Sequence, residues 1–412
     1  MKILYIVHQF YPMHYTGTEK FLLNLTTTMQ KWGHNVKVLT YSFYEDSFYD
    51  TTADGIISKE FFYKGIPVLA FKQVSPPEDL NWGIENREVV RFAERELLRE
   101  KPDVIHLAHG MRTSEFILAA QRLGIPYVVT LTDFFLVCPK CILITSQQSL
   151  CFGPQQGEAC KNMCPEFSNA YIRHRLSFAK QMLSGASCVV APSKFLGDLF
   201  KNEFNDLELK IIPYGIDFSL VKRNVRVYNS QGKFIILYAG QLNYHKGVQV
   251  LIDAFMQVRN KDLVLKLYGS GPDAAMRNFN EMAKGDKRIE FCGVYKEDQI
   301  GEIFSSADIV VIPSNWHENN TIVMREALAS HVPCVVSNAG GMIEKIRDGV
   351  NGFVFRMGDA VHLKEVLEKI ISRPELMQNI KLHLRRHSLT TVEQEAYAYE
   401  EEYKRIVPDV RR

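Results

Sequence analysis

The run IVVIPSNWHENNTIVMREALAS, residues 309–330, decides how this chain is read. Ile309 to Ile312 is a short apolar run closed by Pro313 and Ser314, which reads as a buried strand. A polar loop follows, and from about Ile322 to Ser330 the apolar positions fall at helical spacing. Strand, loop and helix in this order make the repeating unit of a parallel α/β sheet.

The same unit recurs in both directions. Upstream, Phe234 to Ala239, Leu263 to Tyr268 and Ile289 to Phe291 read as strands, and Cys334 to Ser337 continues the series. Helical stretches such as Val248 to Val258 lie between them. An earlier series holds Lys2 to Val7, Val36 to Tyr41, Val104 to Leu107, Tyr127 to Leu131 and Cys188 to Ala191, with a helix from about Thr18 to Trp32. The polar stretch Asn224 to Lys233 separates the two series and reads as the linker. At 412 residues the chain exceeds one compact core. Two doubly wound domains are therefore expected, 1–220 and 221–390. A terminal helix, about Thr391 to Val407 within 391–412, is expected to cross back onto the first. Ligands of such sheets bind at the carboxyl ends of the strands, so a cleft between two facing sheets is the expected site.

Hydrophobic residues make up 46% and charged residues 23%, ordinary soluble usage. Lys plus Arg number 49 against 47 Asp plus Glu, so the net charge of +2 does not indicate a nucleic-acid partner. MKILYIVHQFY at the N-terminus lacks the apolar length and cleavage site of a signal peptide. No segment approaches the ~18 consecutive apolar residues of a membrane span. A cytoplasmic location follows as the expectation. Arg173, Arg175 and Lys180 leave room for peripheral contact with the inner membrane face, although Ile172, Leu176, Ala179 and Leu183 make the stretch equally an ordinary amphipathic helix.

Glu318 and Glu326 lie eight positions apart, one in the loop and one in the helix. That is too far for one carboxylate pair, since a helix alone rises about 1.5 Å per residue. They suit the two ends of an elongated ligand carrying paired hydroxyls, with a diphosphate held between them on the helix N-terminus. Asn319, Asn320 and Thr321 stand at that N-terminus.

With these residues in view, the chain resembles glycosyltransferase family 4 of the GT-B fold almost end to end. Ser314 to Ala329 is similar to the family's E-x7-E segment, here as W-x-E-N. The resemblance implies that Glu318 contacts the donor sugar and Glu326 the ribose. It implies a retaining hexosyltransferase that moves a sugar from a UDP- or GDP-sugar to a glycan or lipid-linked acceptor, without a catalytic metal. Gly240 would bring backbone to the phosphates, and Lys246 would neutralise the diphosphate leaving group. The family usually has Arg where this chain has Gln241, and an acidic residue where His245 stands. Gly269, in Tyr268-Gly269-Ser270-Gly271-Pro272, matches the family's G-x-G-P turn and is expected near the nucleotide, a position that a plain tight turn explains equally well. Ala339-Gly340-Gly341 and Pro213-Tyr214-Gly215-Ile216-Asp217 match further blocks. In the first domain Gly17 follows Thr16 where the family has Gly-Gly, and serves either the diphosphate or a capped helix start.

On the acceptor side, Thr130-Leu131-Thr132-Asp133 resembles T-x-H-D, with Thr132 in place of the family's active-site His. Asp133 and His109 are the acceptor-side catalytic candidates, and His106 also follows the strand Val104 to Leu107. Cys138, Cys141, Cys151, Cys160 and Cys164 crowd a polar insert at 138–164, poor in apolar material of its own. A structural zinc site would organise it, ahead of an iron–sulfur cluster. The family spacing selects Cys138, Cys151, Cys160 and Cys164, while the C-x2-C pair argues for keeping Cys141. Cys188, Cys292 and Cys334 read as core. Alternatives are a GT-B-like nucleotide-sugar epimerase and a non-catalytic sugar-nucleotide sensor. A dinucleotide oxidoreductase lacks its motif, since His8 to Gly17 holds no G-x-G-x-x-G.

Overall fold

The computed structural model describes residues 1–225, 232–386 and 388–407. Part of the stretch read as the linker, 226–231, lies outside the described residues. The chain divides into two compact units. Met1–Gly215 and the segment from Val392 form one, and Ile216–Thr391 the other.

The first unit runs β1 (Lys2–Val7), α1 (Gly17–Lys31), β2 (Asn35–Tyr41), β3 (Thr51–Ala53), β4 (Ile56–Tyr63) and β5 (Ile66–Gln73). It continues through α2 (Arg87–Glu100), β6 (Val104–Leu107), α3 (Glu115–Leu123), β7 (Tyr127–Thr130), α4 (Glu158–Met163), α5 (Asn169–Ser184), β8 (Cys188–Ala191), α6 (Lys194–Glu203) and β9 (Lys210–Ile211). The sheet order is β3-β4-β5-β2-β1-β6-β7-β8-β9. From β2 to β9 the neighbours are parallel, with Ile3 opposite both Val36 and Val104. The chain fills one side of β1 first and then returns to its other side, so the winding reverses between β1 and β6. Loops leaving the carboxyl ends of those two strands part there and open a crevice.

One edge departs from the parallel expectation. β3, β4 and β5 are antiparallel, joined by two-residue turns at Asp54-Gly55 and Lys64-Gly65. All four turn residues have positive φ, between 47° and 81°, the conformation that matches the right-handed twist of the flanking strands.

The second unit holds β10 (Phe234–Ala239), α7 (Val248–Gln257), β11 (Leu263–Tyr268), α8 (Asp273–Met282), β12 (Ile289–Gly293), α9 (Ile300–Ser305), β13 (Ile309–Ile312) and α10 (Ile322–Ala329). It is completed by β14 (Cys334–Ser337), β15 (Gly352–Phe355), α11 (Ala360–Ser372) and α12 (Pro374–Leu384). Its six strands are parallel in the order β12-β11-β10-β13-β14-β15, so the winding reverses between β10 and β13. β13 and β14 are buried along their whole length, because helices cover both faces of such a sheet. Cys188 and Cys334 are buried, but Cys292 is only half-buried because β12 is an edge strand.

The last helix, α13 (Val392–Ile406), belongs to the first unit. Tyr399 and Tyr403 are fully buried; their hydroxyls meet Thr130 Oγ1 at 2.9 Å and His106 Nδ1 at 2.6 Å. His106 Nε2 is bonded to Thr130 Oγ1 at 2.7 Å, so this histidine is a core group with both nitrogens filled. Burial pushes its pKa down to about 3. Unfolded, the same ring takes a proton near the ordinary 6.5. Between these values the unfolded chain binds one proton more, so stability rises with pH across the window and is lost as pH falls through it. The melting temperature is expected to drop steadily below about pH 6.5, by up to about 1.4 kcal/mol of stability per pH unit from this one group. His106→Asn should flatten that slope in a series of melts; an unchanged slope would count against it.

Candidate functional site

In the second unit, the loops after β10 and β13 meet at the point where the winding reverses. Lys246 lies just after β10 in a short turn, and Glu318 in the loop that follows β13. Glu318 Oε1 accepts three hydrogen bonds: from Lys246 Nζ at 2.8 Å, the Ser314 hydroxyl at 2.7 Å and the Trp316 indole N–H at 2.7 Å. Oε2 has no donor among the described residues. Burial works to raise the pKa of Glu318, but Lys246, Ser314 and Trp316 outweigh it and hold the carboxyl below its usual range. The Lys246 ammonium also lies over the Trp316 ring, 4.2 Å from its centroid. His245 packs edge-on against the same ring at 5.0 Å. Burial, reinforced by the Lys246 charge, pushes its pKa down to about 4, so a neutral imidazole stands in the position the resemblance gives to an acid.

Glycines set these loops against one another. At Gly247, φ is +73° and an added Cβ would fall 1.8 Å from the Pro313 carbonyl oxygen. Gly340, at φ +56°, leaves a Cβ 2.2 Å from the Glu318 carbonyl oxygen, and the Gly341 N–H donates to that oxygen at 2.6 Å. Gly269, at φ +139°, packs against the Gly240 carbonyl, where a Cβ would come within 1.8 Å. Loop-to-loop approach thus accounts for Gly269 without a ligand. Gly240 has φ +148°, and its nearest neighbour is the Tyr238 hydroxyl, 3.5 Å from an added Cβ. Gln241 is exposed, and its carbonyl accepts from the Tyr238 hydroxyl at 2.5 Å.

Glu326 is buried on α10 and close enough to Tyr295 for its charge to help raise that phenol's pKa, after burial itself. Tyr295 meets Tyr268 edge to face at 5.8 Å. Thr321 is the N-cap of α10 but makes no side-chain capping bond, and its hydroxyl is buried without a partner. Asn320 is buried beside it and Asn319 half-buried.

In the first unit, His109 and Asp133, 24 residues apart in sequence, are joined by a 2.7 Å bond from Nε2 to Oδ2. His109 Nδ1 accepts the Met111 N–H at 3.2 Å, which puts the ring proton on Nε2, donating to Asp133. Both ring nitrogens are therefore engaged, and His109 stands behind Asp133 as its support. Asp133 Oδ1 accepts from the Phe135 N–H at 2.8 Å. The Thr132 hydroxyl donates to the Ala108 carbonyl at 2.8 Å, tying the two loops at their bases. Thr16 and Glu19 cap α1: the Thr16 N–H and hydroxyl both reach Glu19 Oε2 at 2.6 Å. Gly17 is the first residue of that helix.

Two residues join this group unannounced. The His8 ring, directly after β1, packs at a tilt of 31° against His109 with centroids 3.8 Å apart, and its pKa is driven well down by burial and by neighbouring His109 and Arg112. Arg112 donates to the His8 carbonyl at 3.1 Å and to Asn81 Oδ1 at 2.7 Å, with φ of +62° at its own backbone. His8 was legible by the logic that selects His109, a polar residue just past a strand end. Arg112 carries no such signal.

The cysteine insert differs from its reading in one respect. Val137, Leu143, Ile144 and Cys160 are buried, and most of them join the core of the first unit, so the insert is not short of apolar contacts. Its cysteines form no disulfide among the described residues, and among those residues no group of three or more His, Cys, Asp or Glu stands as a metal-binding set. The basic stretch on α5 is not one exposed face either: Arg175 is 3% exposed, its guanidinium donating to the Phe135 and Trp82 carbonyls. No helix among the described residues is long and apolar enough to cross a membrane.

Comparison with known proteins agrees with this geometry. Residues 222–386 match the family of glycosyl transferases group 1, and residues 15–220 match Glycosyltransferase Family 4. An uncharacterized glycosyltransferase of Methanocaldococcus jannaschii is 26% identical over 85% of this chain and 84% of its own length. The lipopolysaccharide 1,2-N-acetylglucosaminetransferase of Salmonella typhimurium is 26% identical over 43% of this chain, and the match spans about half (51%) of that relative. Among solved structures, Anabaena HepE in complex with UDP and glucose superposes with a TM-score of 0.70 at 19% identity, over 97% of this chain and 98% of that one. The sucrose-phosphate synthase of Thermosynechococcus elongatus gives 0.73 at 17%, over 98% of both chains. Both likenesses show the GT-B fold. With the Glycosyltransferase Family 4 match covering half of its residues, the chain belongs to glycosyltransferase family 4.

Proposed function

We propose that the protein is a retaining glycosyltransferase that takes a hexosyl group from a UDP- or GDP-sugar, with no catalytic metal, and passes it to a glycan or lipid-linked acceptor. The observation that carries this reading is the Glu318 carboxylate, held ionised by three donors on Oε1 with Oε2 left for a sugar hydroxyl. Lys246, already in place on Glu318, supplies the cation that a diphosphate leaving group needs. Glu326 receives the ribose hydroxyls, and the N-terminus of α10, with Asn319, Asn320 and Thr321, receives the diphosphate. UDP is the nucleotide favoured by likeness, since HepE was solved with UDP and with UDP-glucose. Gly240 and Gln241 complete the phosphate contacts on this side.

In the reaction proposed, the bond from the anomeric carbon to the diphosphate oxygen breaks as the acceptor oxygen attacks from the same face. The acceptor proton passes to the departing phosphate oxygen, so no protein base is required. Asp133 orients the acceptor hydroxyl, and His109 holds Asp133. The Salmonella relative named for lipopolysaccharide makes an envelope glycan a reasonable first acceptor to try. Transfer assays over a panel of UDP- and GDP-sugars, with the anomeric configuration of the product read by NMR, test the whole reading. Hydrolysis or binding without transfer to any glycan or lipid-linked acceptor, or an inverted product, would overturn it. On the acceptor side, Asp133→Ala is expected to cut kcat/KM about 10–100-fold with donor affinity unchanged. His109→Ala should lose about tenfold through Asp133. Full rates in both would remove the acceptor assignment.

A further inference from the structure

The insert at 138–164 brings four thiols to one place. Cys138, Cys151, Cys160 and Cys164 line a single small cavity of ≈ 10 Å³, walled by Val137, Leu143, Ile144 and Ile172. That is room for about one atom-sized guest. Cys141 is not among its lining residues; its thiol interacts with Asp133, Arg175, Cys138 and Arg112. Cys160 and Cys164 sit one helical turn apart, the Cys164 N–H donating to the Cys160 carbonyl at 2.8 Å. Burial pushes the Cys138 thiol pKa up, and the backbone of Leu143 and Lys140 offsets only part of that.

The surroundings carry a matching charge. Arg175 is buried, makes no ion pair among the described residues, and keeps Nε without a partner; it interacts with the Cys138 thiol. Lys140 acts on Cys151 as well, although its ammonium is already paired with Glu166 at 2.6 Å. This guanidinium is bonded to carbonyls and a hydroxyl and lies over the Phe135 ring at 4.4 Å, and a buried cation so placed gains further from negative charge close by. Backbone strain gathers here too. Cys141, Leu143, Gln148, Gln155 and Gln156 all have positive φ, in a segment whose regular structure is one short helix and one isolated bridge. Such conformations persist when something beyond local sequence fixes them.

We propose that Cys138, Cys151, Cys160 and Cys164 bind one zinc ion as thiolates, pinning the insert to the first unit. The thiols frame the cavity from its walls and close on the ion by side-chain rotation. Binding releases the thiol protons and changes no oxidation state. The four thiolates and Zn2+ carry a net double negative charge, which the Arg175 guanidinium offsets in part. This site is independent of the transfer reaction, since metal content is read without any donor or acceptor.

The test is elemental analysis of the untagged full-length chain. About one zinc per chain is expected, retained in Cys141→Ser and lost in Cys160→Ser and Cys151→Ser. Should the serine variants fail to fold, chelator-stripped wild-type protein is titrated with Co2+. Thiolate-to-cobalt charge-transfer bands with tetrahedral d–d bands, absent when the thiols are first alkylated, support the site. Sub-stoichiometric zinc with four alkylatable thiols, iron with labile sulfide, disulfides among these cysteines, or loss of zinc in Cys141→Ser to the same extent would each overturn it.

Discussion

Glu318→Ala is expected to slow transfer about 10²–10³-fold while leaving donor affinity within a few-fold of the wild type. The physical reason lies in what the carboxylate holds. Its Oε1 gathers Lys246, Ser314 and Trp316, so its removal takes away the proposed sugar contact and also frees the ammonium proposed to meet the leaving group. Such an effect appears in kcat, because the charge that Lys246 answers grows only as the bond to phosphate breaks. Glu326→Ala should behave in the opposite way. Losing a charged hydrogen-bond acceptor for the ribose weakens binding by about 1.5–3 kcal/mol, roughly 10–100-fold in donor Kd, with kcat little changed. Single-turnover rates and calorimetric donor affinities separate the two. Equal and small effects from both substitutions would falsify the division of roles.

The second large effect concerns a residue with no side chain. Gly247→Ala should destabilise the protein by about 3 kcal/mol or more and lower transfer by at least about tenfold in whatever folds. Placing alanine at φ +73° costs roughly 1 kcal/mol on conformational grounds alone. The remainder comes from contact: the new Cβ would fall 1.8 Å from the Pro313 carbonyl oxygen, so the turn carrying Lys246 has to leave the strand end that launches the Glu318 loop. Gly285→Ala is the matched control, with φ +88° and nothing within 4 Å of its Cβ. It should show the conformational cost and no loss of transfer. Chemical denaturation of both variants, with donor affinity, measures the difference. Similar losses in the two would show that the contact at Pro313 contributes nothing.

Much of the fold was legible in the chain. The strands at Lys2–Val7, Val104–Leu107, Phe234–Ala239 and Ile309–Ile312 stand where short apolar runs end in turn residues, because a strand covered on both faces has to be apolar throughout. The antiparallel edge was also written there, in Asp54-Gly55 and Lys64-Gly65, but over its second half the middle strand β4 alternates between half-buried and exposed positions and so gives no continuous apolar run. Arg175 shows the converse. On a helical wheel it belongs to a basic stripe; in the fold it is buried, because carbonyls from Trp82 and Phe135, 93 and 40 residues away, converge on its guanidinium.

The sequence alone determined the kinds of element, their order, and the two glutamates that mark the donor loop, since these depend on periodicity and spacing within a few tens of residues. It could not determine who meets whom. That Lys246 bonds to a carboxylate 72 positions away, that His109 supports Asp133, that His8 packs against His109, and that four of five clustered cysteines share one cavity were decided by the tertiary structure. The reason is topological: winding reverses between β10 and β13 in one sheet and between β1 and β6 in the other, which brings Lys246 to Glu318 and His8 to His109, while the parallel neighbours β6 and β7 set His109 beside Asp133.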